Sequence, residues 1–337
     1  MRTTPILAAA AMAVSLLAAS PADATFPGAN GLLSFQRPVG PQVDLFTLAA
    51  TGGTPVRLTR TATWEEKAEW SADGRRLAFA RSAPKGSPTE IAVLDVARNR
   101  VSALTRFGST SDAPTWSPAG NLAFFSLFGA PPGGRDAPPP AELYSVGGDG
   151  SGARRLTRDR AIQTDPQWSP DGSAIAYSQW RAVPGRPGVF DIGLSLMNPD
   201  GTDQRALLPA IASRDIATQS WSPDGRRLVV EWISATPKAR DGRSRQSDIA
   251  VVNADGTGLR FLTRTAALET EPVWSPDGTM IAFASDRHVA RGRRLERNGP
   301  AFELYTMRVD GSDVRRLTRN DVPDMYPDWQ PVPPAAP

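Results

Sequence analysis

The chain has 337 residues, 22% of them charged, with a formal net charge of +3 and a single histidine. It contains no cysteine, which excludes a disulfide scaffold, thiolate catalysis and a cysteine-ligated zinc site. A charge this small does not argue for nucleic acid, and one histidine leaves little material for a Ser-His-Asp arrangement.

The first element in chain order is a leader. Met1-Arg2-Thr3-Thr4 carries one positive charge and precedes an apolar run from Pro5-Ile6-Leu7 through Ala19, after which Ala22-Asp23-Ala24 offers a small-residue cleavage site. Residues 1–24 are expected to be a secretory signal peptide, leaving 25–337 as a single domain. The apolar run is shorter than the ~20 residues that span a bilayer, and no cysteine follows to carry a lipid. An exported protein, periplasmic or extracellular and without a transmembrane segment after cleavage, is the expectation.

A repeated unit follows. Trp70-Ser71-Ala72-Asp73-Gly74 returns as Trp116-Ser117-Pro118-Ala119-Gly120, Trp168-Ser169-Pro170-Asp171-Gly172, Trp221-Ser222-Pro223-Asp224-Gly225 and Trp274-Ser275-Pro276-Asp277-Gly278, with an unfinished copy at Trp329-Gln330-Pro331. The tryptophans lie 46, 52, 53, 53 and 55 residues apart, a period that marks a repeat architecture. Ser-Pro-Asp-Gly is turn chemistry, so each copy reads as a hairpin turn. Strand-like triplets follow at a fixed place: Leu77-Ala78-Phe79, Leu122-Ala123-Phe124, Ile175-Ala176-Tyr177, Leu228-Val229-Val230 and Ile281-Ala282-Phe283. A third strand (Ile91-Ala92-Val93, Ile249-Ala250-Val251, Leu304-Tyr305), an Asp-Gly turn and an Arg-x-Leu-Thr ending complete the unit. Four strands per unit and no helical stretch between units predict an all-β, six-bladed β-propeller with four-stranded blades. The chain starts on a second strand, Leu32-Leu33-Ser34-Phe35, and ends on a tryptophan-bearing first strand. One blade is therefore expected to be shared between the N- and C-termini, which removes two open sheet edges. The repeated Trp70, Trp116, Trp168, Trp221, Trp274 and Trp329 are assigned to packing between blades.

The repeated Trp-Ser-Pro-Asp-Gly, Ser285-Asp286-Arg287 after a second strand, Glu303-Leu304-Tyr305 and the Arg-Leu-Thr endings resemble the TolB-type, WD-repeat-like propeller repeat. The likeness runs over residues 27–331 and implies the propeller alone, without the additional N-terminal domain of TolB. It also implies partners in a Tol-type system, including the peptidoglycan-associated lipoprotein. Similar repeats serve as regulatory domains of serine peptidases.

Function is expected on the face that carries the long, variable connections between second and third strands. Arg240, Arg243 and Arg245 fall in one such loop, and Arg287, Arg291, Arg293, Arg294 and Arg297 in the next. Together they form a basic patch suited to a protein, peptide or anionic cell-envelope polymer. Trp64 and Tyr326 could stack on such a ligand. Acidic residues just before the first strands, among them Asp112, Asp165, Glu271 and Asp324, should rim the central channel and could hold a hard cation such as Ca²⁺, although no cofactor is required. The acids before the third strands (Asp44, Glu90, Glu142, Asp191, Asp248, Glu303) are expected to pin the long loops, through donors such as Arg81 or Ser285. His288, in a long loop, is expected to be solvated. No G-x-S-x-G and no phosphate-cradling glycine loop is present. A monomeric, non-catalytic binding module is the expected class; the competing one is a metal-dependent lactonase or esterase using the channel carboxylates.

Overall fold

The computed structural model describes residues 26–83, 88–130, 139–159, 161–183, 190–209, 214–235, 245–289 and 302–334, so the expected signal peptide, residues 1–24, lies outside them. Every regular element among them is a strand. The first group is β1 (Ala29–Val39), β2 (Gln42–Ala49) and β3 (Val56–Arg57). Next come β4 (Trp64–Trp70), β5 (Arg76–Ser82), β6 (Glu90–Asp95) and β7 (Arg100–Ala103), then β8 (Ser111–Trp116), β9 (Asn121–Ser126), β10 (Glu142–Gly147) and β11 (Arg154–Arg155). They are followed by β12 (Ile162–Trp168), β13 (Ile175–Ala182), β14 (Phe190–Met197) and β15 (Arg205–Leu208), and by β16 (Arg214–Trp221), β17 (Arg227–Ala235), β18 (Arg245–Asn253) and β19 (Arg260–Phe261). The chain ends with β20 (Glu269–Trp274), β21 (Met280–Ser285), β22 (Glu303–Arg308), β23 (Arg315–Arg316) and β24 (Met325–Val332).

The strands form an all-β propeller of four-stranded antiparallel ladders, with four separate four-stranded sheets and one sheet of eight strands. Separate blades throughout were expected. The larger sheet arises because β2 and β4 meet in one parallel pairing, Val43 with Trp64, which joins two ladders. The same contact recurs at Ala141 with Ile162 and at Ser247 with Leu268, where it stays an isolated bridge. The termini meet as the repeat phase requires: β24 pairs β1 antiparallel, with Leu33 opposite Trp329 and Ser34 opposite Asp328.

The turn after each tryptophan shows why its residues recur. In the first copy the Ser71 hydroxyl donates to Asp73 Oδ1 at 2.5 Å and accepts from the Arg76 amide at 3.0 Å, while the Gly74 amide donates to the Ser71 carbonyl at 2.8 Å. Gly74 has φ 64°, a left-handed conformation that closes the hairpin and that a β-carbon would resist.

Each tryptophan packs between consecutive units. Trp116, for example, shares a buried cluster with Ala78, Ile91 and Val93 of the unit before it and with Leu122, Phe124 and Tyr144 of its own. Both faces of each sheet are thereby covered, which is why second and third strands read as apolar runs.

The Arg-x-Leu-Thr ending ties the outer strand inward. Its threonine hydroxyl accepts the third-strand amide, as Thr59 does from Leu45 at 3.0 Å, Thr157 from Leu143 at 3.0 Å and Thr318 from Leu304 at 3.0 Å. The arginine and threonine also serve the acids before the third strands: Arg155 and Thr157 donate to Glu142 at 2.5 and 2.6 Å, Arg316 to Glu303 at 2.8 Å, and Arg57 to Asp44. These carboxylates are thus anchored mainly by the blade's own fourth strand, not by Arg81 or Ser285. Glu90 and Glu303 additionally hold the amides of Gly108 and Asn320 at 2.8 and 2.6 Å.

The fourth unit lacks the threonine, having Leu208 in its place, and Asp215 from the next strand accepts the Ile192 amide instead, at 3.1 Å. Asp215→Ala should therefore cost about 1–2 kcal/mol in chemical denaturation, because it strands a buried amide. Asp215→Asn, which keeps an acceptor, should recover most of that loss.

Candidate functional site

All six inner strands break register at one place, three residues before the tryptophan. The irregularity falls between Glu66 and Glu69, Asp112 and Thr115, Thr164 and Gln167, Ile216 and Gln219, and Thr270 and Val273, with its counterpart where β24 passes Ser34 and Gln36. A bulge re-aims a side chain, and here it acts on Lys67, Ala113, Asp165, Thr218, Glu271 and Tyr326. Five of them take left-handed φ, at 52°, 51°, 49°, 56° and 53° for Lys67, Ala113, Asp165, Glu271 and Tyr326. Thr218 is the exception, consistent with its β-branch. All six line a central cavity of about 120 Å³.

Amides at the bulges are taken by side chains. Lys67 donates its amide to Gln36 Oε1 at 2.9 Å, Tyr326 to Glu271 Oε2 at 2.6 Å, and Glu271 to Glu231 Oε2 at 3.4 Å. The charges are paired as well. Lys67 Nζ stands 3.4 Å from Asp112 Oδ2 and 3.4 Å from Asp165 Oδ1, and 5.7 Å from the ring centre of Tyr326. Burial alone would lower its pKa, but Asp112 and Asp165 hold it well above the ordinary lysine value. Burial pushes Glu271 up to about 8 and, helped by Glu271, raises the Tyr326 hydroxyl far above its ordinary value. Near neutral pH this wall therefore offers a lysine ammonium, a largely protonated carboxyl and a phenol.

Deeper along the same strands the residue before each tryptophan reaches the next unit. Glu69 Oε1 accepts the Trp116 amide at 2.9 Å and the Thr115 hydroxyl at 2.9 Å, and Asp328 Oδ2 accepts the Trp70 amide at 2.7 Å. These two carboxyls are buried together. Burial raises both, Glu69 to about 7, with the Glu69 charge adding to the rise at Asp328.

Of the residues expected at the channel, Asp112, Asp165, Glu271 and Tyr326 come together there. Asp324 does not: it is fully buried, gripped by Arg37 at 2.6 and 2.7 Å and by the Asn320 amide group at 2.8 Å. It stands five residues before its tryptophan, and that position turns toward the second strand. Among the described residues no three carboxylate or histidine side chains are placed to hold a metal ion.

Arg287 is likewise engaged, pairing with Glu269 and lying 5.0 and 5.2 Å from the rings of Phe283 and Tyr305. This removes it from the basic patch, because its guanidinium caps a blade. Trp64 is 41% exposed and donates its indole N–H to the Pro41 carbonyl at 2.8 Å. Arg240, Arg243, Arg291, Arg293, Arg294 and Arg297 lie outside the described residues, as does the side chain of Arg245. His288 is half-buried, and that burial, with Arg316 nearby, lowers its pKa. Lys67, Glu69, Thr218, Glu231 and Asp328 were not anticipated. Counting back three and one residues from every tryptophan would have found all but Glu231.

Residues 201–331 match the family model for the TolB beta propeller domain. A protein TolB homolog of Chlorobium luteolum is 33% identical over 147 residues, 43% of this chain and 29% of the relative. The Tol-Pal system protein TolB of Bordetella pertussis is 34% identical over 174 residues, 51% of this chain and 33% of the relative. The chain thus spans about a third of the length of these curated relatives. The crystal structure of TolB from Acinetobacter baumannii superposes with a TM-score of 0.67 over 89% of this chain and 67% of that one, at 19% identity. Hydrazine synthase of Kuenenia stuttgartiensis gives 0.71 over 93% and 49%, at 16% identity, so these likenesses concern the fold. Fold and repeat together define a β-propeller, and its residues 201–331 are similar to the TolB propeller domain.

Proposed function

We propose that the protein is an exported, periplasmic, non-catalytic propeller that binds a protein partner at the long-loop mouth of its channel, in a complex of Tol-Pal kind. In this reading the eight-stranded sheet counts as two blades, making six, and the domain works as a monomer without a cofactor. The observation that carries it is the state of the channel wall. Lys67 and Tyr326, the groups that could act as nucleophiles, are held protonated, and Lys67 is enclosed by Asp112 and Asp165. A wall whose ammonium and phenol stay protonated, and whose Asp112 and Asp165 carboxylates are engaged by Lys67, suits recognition of a polypeptide better than hydrolysis, which needs a free base beside a nucleophile. The arginines of residues 236–244 and 290–301, which lie outside the described residues, would by their charge add affinity for an acidic surface.

The test uses the full chain as bait on envelope extract of the producing cell. One partner should be retained, and Tyr326→Ala should weaken its capture about tenfold or more. Replacing Arg291, Arg293, Arg294 and Arg297 by serine should remove the salt-sensitive part of binding, since exposed charges are screened beyond ~8 Å at physiological ionic strength. Equal capture by both variants would overturn the proposal, as would turnover of model lactones or esters that Tyr326→Ala or Glu271→Gln abolishes.

A further inference from the structure

On the opposite face, where the Trp-Ser-Pro-Asp-Gly turns lie, one unit departs from the others. Trp70, Trp116, Trp221, Trp274 and Trp329 are at most 4% exposed, whereas Trp168 is only half-buried. Two buried tryptophans show what covers such a ring. The Arg76 guanidinium lies 4.5 Å from the centre of Trp116, and that of Arg227 lies 4.9 Å from Trp274. Each arginine opens the second strand of the preceding unit, opposite Asp95 and Asn253 respectively.

Ahead of Trp168 the corresponding pair is Asn121 and Gly147. The turn from Trp116 to Asn121 is also one residue shorter than that from Trp70 to Arg76. Gly147 has no side chain and Asn121 carries no guanidinium to lay over the indole. Ahead of Trp70, where Leu32 holds this place, the Gln330 side chain closes in and accepts the Leu32 amide at 3.2 Å. Among the described residues no guanidinium lies over Trp168, and an open cleft of about 400 Å³ is found there, lined by Asn121, Ser145, Gly147, Ser151 and Arg154 together with the tryptophan.

The charges around it are of both signs. Arg154 is exposed, donates one N–H to the Pro199 carbonyl at 3.3 Å and stands near enough to Asp200 to help lower its pKa, and the other N–H groups of its fork can turn to an anion. Asp149 Oδ1 lies 2.8 Å from the point a β-carbon on Gly147 would occupy, and hydrogen bonds from Ser151 lower its pKa. The cleft therefore joins an aromatic face, a nearby carboxylate and a guanidinium.

We propose that this cleft binds a ligand carrying both a guanidinium and a carboxylate: arginine, free or at the C-terminus of a polypeptide. Its guanidinium stacks on Trp168, in the place that Arg76 and Arg227 fill within their own units, with Asp149 as counter-ion. Its carboxylate pairs with Arg154. The site lies on the face away from the channel mouth, so its failure leaves the reading of the channel standing, and the converse holds.

The test titrates the full chain, by calorimetry and saturation-transfer NMR, with L-arginine, agmatine, Gly-Gly-Arg and the amide of Gly-Gly-Arg. L-arginine or Gly-Gly-Arg should bind, and whichever binds tighter identifies the source. Agmatine and the amide, which lack the carboxylate, should bind about tenfold more weakly than their parents, a difference that Arg154→Ser should erase. Trp168→Ala should abolish binding. Because that change removes packing too, Asn121→Arg is the cleaner variant: it supplies the missing guanidinium from the protein itself and should block binding while keeping or raising the melting temperature. The proposal is overturned by no binding of any of the four at about 10 mM, by binding that survives Asn121→Arg, or by preference for a neutral saccharide or a proline-rich peptide over all four.

Discussion

Deleting residues 322–337 should abolish cooperative unfolding, because the segment contains β24, the strand that closes the ring. Trp329 is 2% exposed and shares a buried cluster with Leu33, Phe35, Phe46 and Leu48 on one side and with Ala282, Ala284 and Leu304 on the other. Losing one large buried aromatic costs about 3–5 kcal/mol. The deletion removes in addition the ladder from Ala29 to Gln36 and the Asp328 bond to the Trp70 amide. Together these losses are of the same order as the ~5–15 kcal/mol that holds most domains folded. Calorimetry of the truncated chain is the measurement; a single transition within a few degrees of the parent would disprove closure by this strand.

The second large effect is on the pH dependence of stability. Glu69, displaced by burial from an ordinary 4.5 to about 7, is neutral in the folded protein over a range where the unfolded chain would ionise it. A carboxyl raised in this way contributes its stability fully below about pH 4.5, and the contribution is lost as pH rises toward 7. A displacement of that size is worth roughly 3 kcal/mol. Glu69→Gln should accordingly match the parent near pH 4 and exceed it at pH 8 by up to that amount. Rotation of the facing Gln167 amide, whose nitrogen now lies 3.0 Å from Glu69 Oε2, would let it accept from the new amide group. Asp328→Asn should act in the same direction, and the double variant should gain less than the sum, since each charge is part of what burdens the other. Denaturation midpoints across pH 4–8 decide it; a Glu69→Gln variant less stable than the parent at pH 8 would show that the pair is ionised and anchoring in the fold.

The pairing of Glu69 and Asp328 also explains how the ring is cemented. Asp328 reaches from the last inner strand to the Trp70 amide and Glu69 from there to the Trp116 amide, while Thr115 and Ser220 make longer versions of the same bond to Trp168 and Trp274, at 3.4 and 3.3 Å. The inner strands are thus tied around the axis by side chains of whatever polar type stands before the tryptophan.

What could be read from the chain by itself was whatever repeats. Period, turn chemistry and paired incomplete ends specify strand order, the hairpins and the junction of β1 with β24, because each depends on residues near one another in a unit or on the phase of the repeat. The role of the Arg-Leu-Thr ending was hidden, since its partners stand 13 to 15 residues away across a blade. The channel was hidden for another reason. Lys67, Ala113, Asp165, Thr218, Glu271 and Tyr326 share no chemistry, and only a bulge at one place in every inner strand turns them toward the same axis. Asp324, two residues earlier than Tyr326, looks equivalent in a list of acids yet points into a blade, because side chains follow the local backbone and the bulge lies between them. Trp168 carries the same lesson in reverse: its motif is identical to those of Trp221 and Trp274, yet its ring is only half-buried, beside a cleft lined by Asn121 and Gly147 of the unit before it, about 20 to 50 residues away in the chain and adjacent only once the blades are stacked.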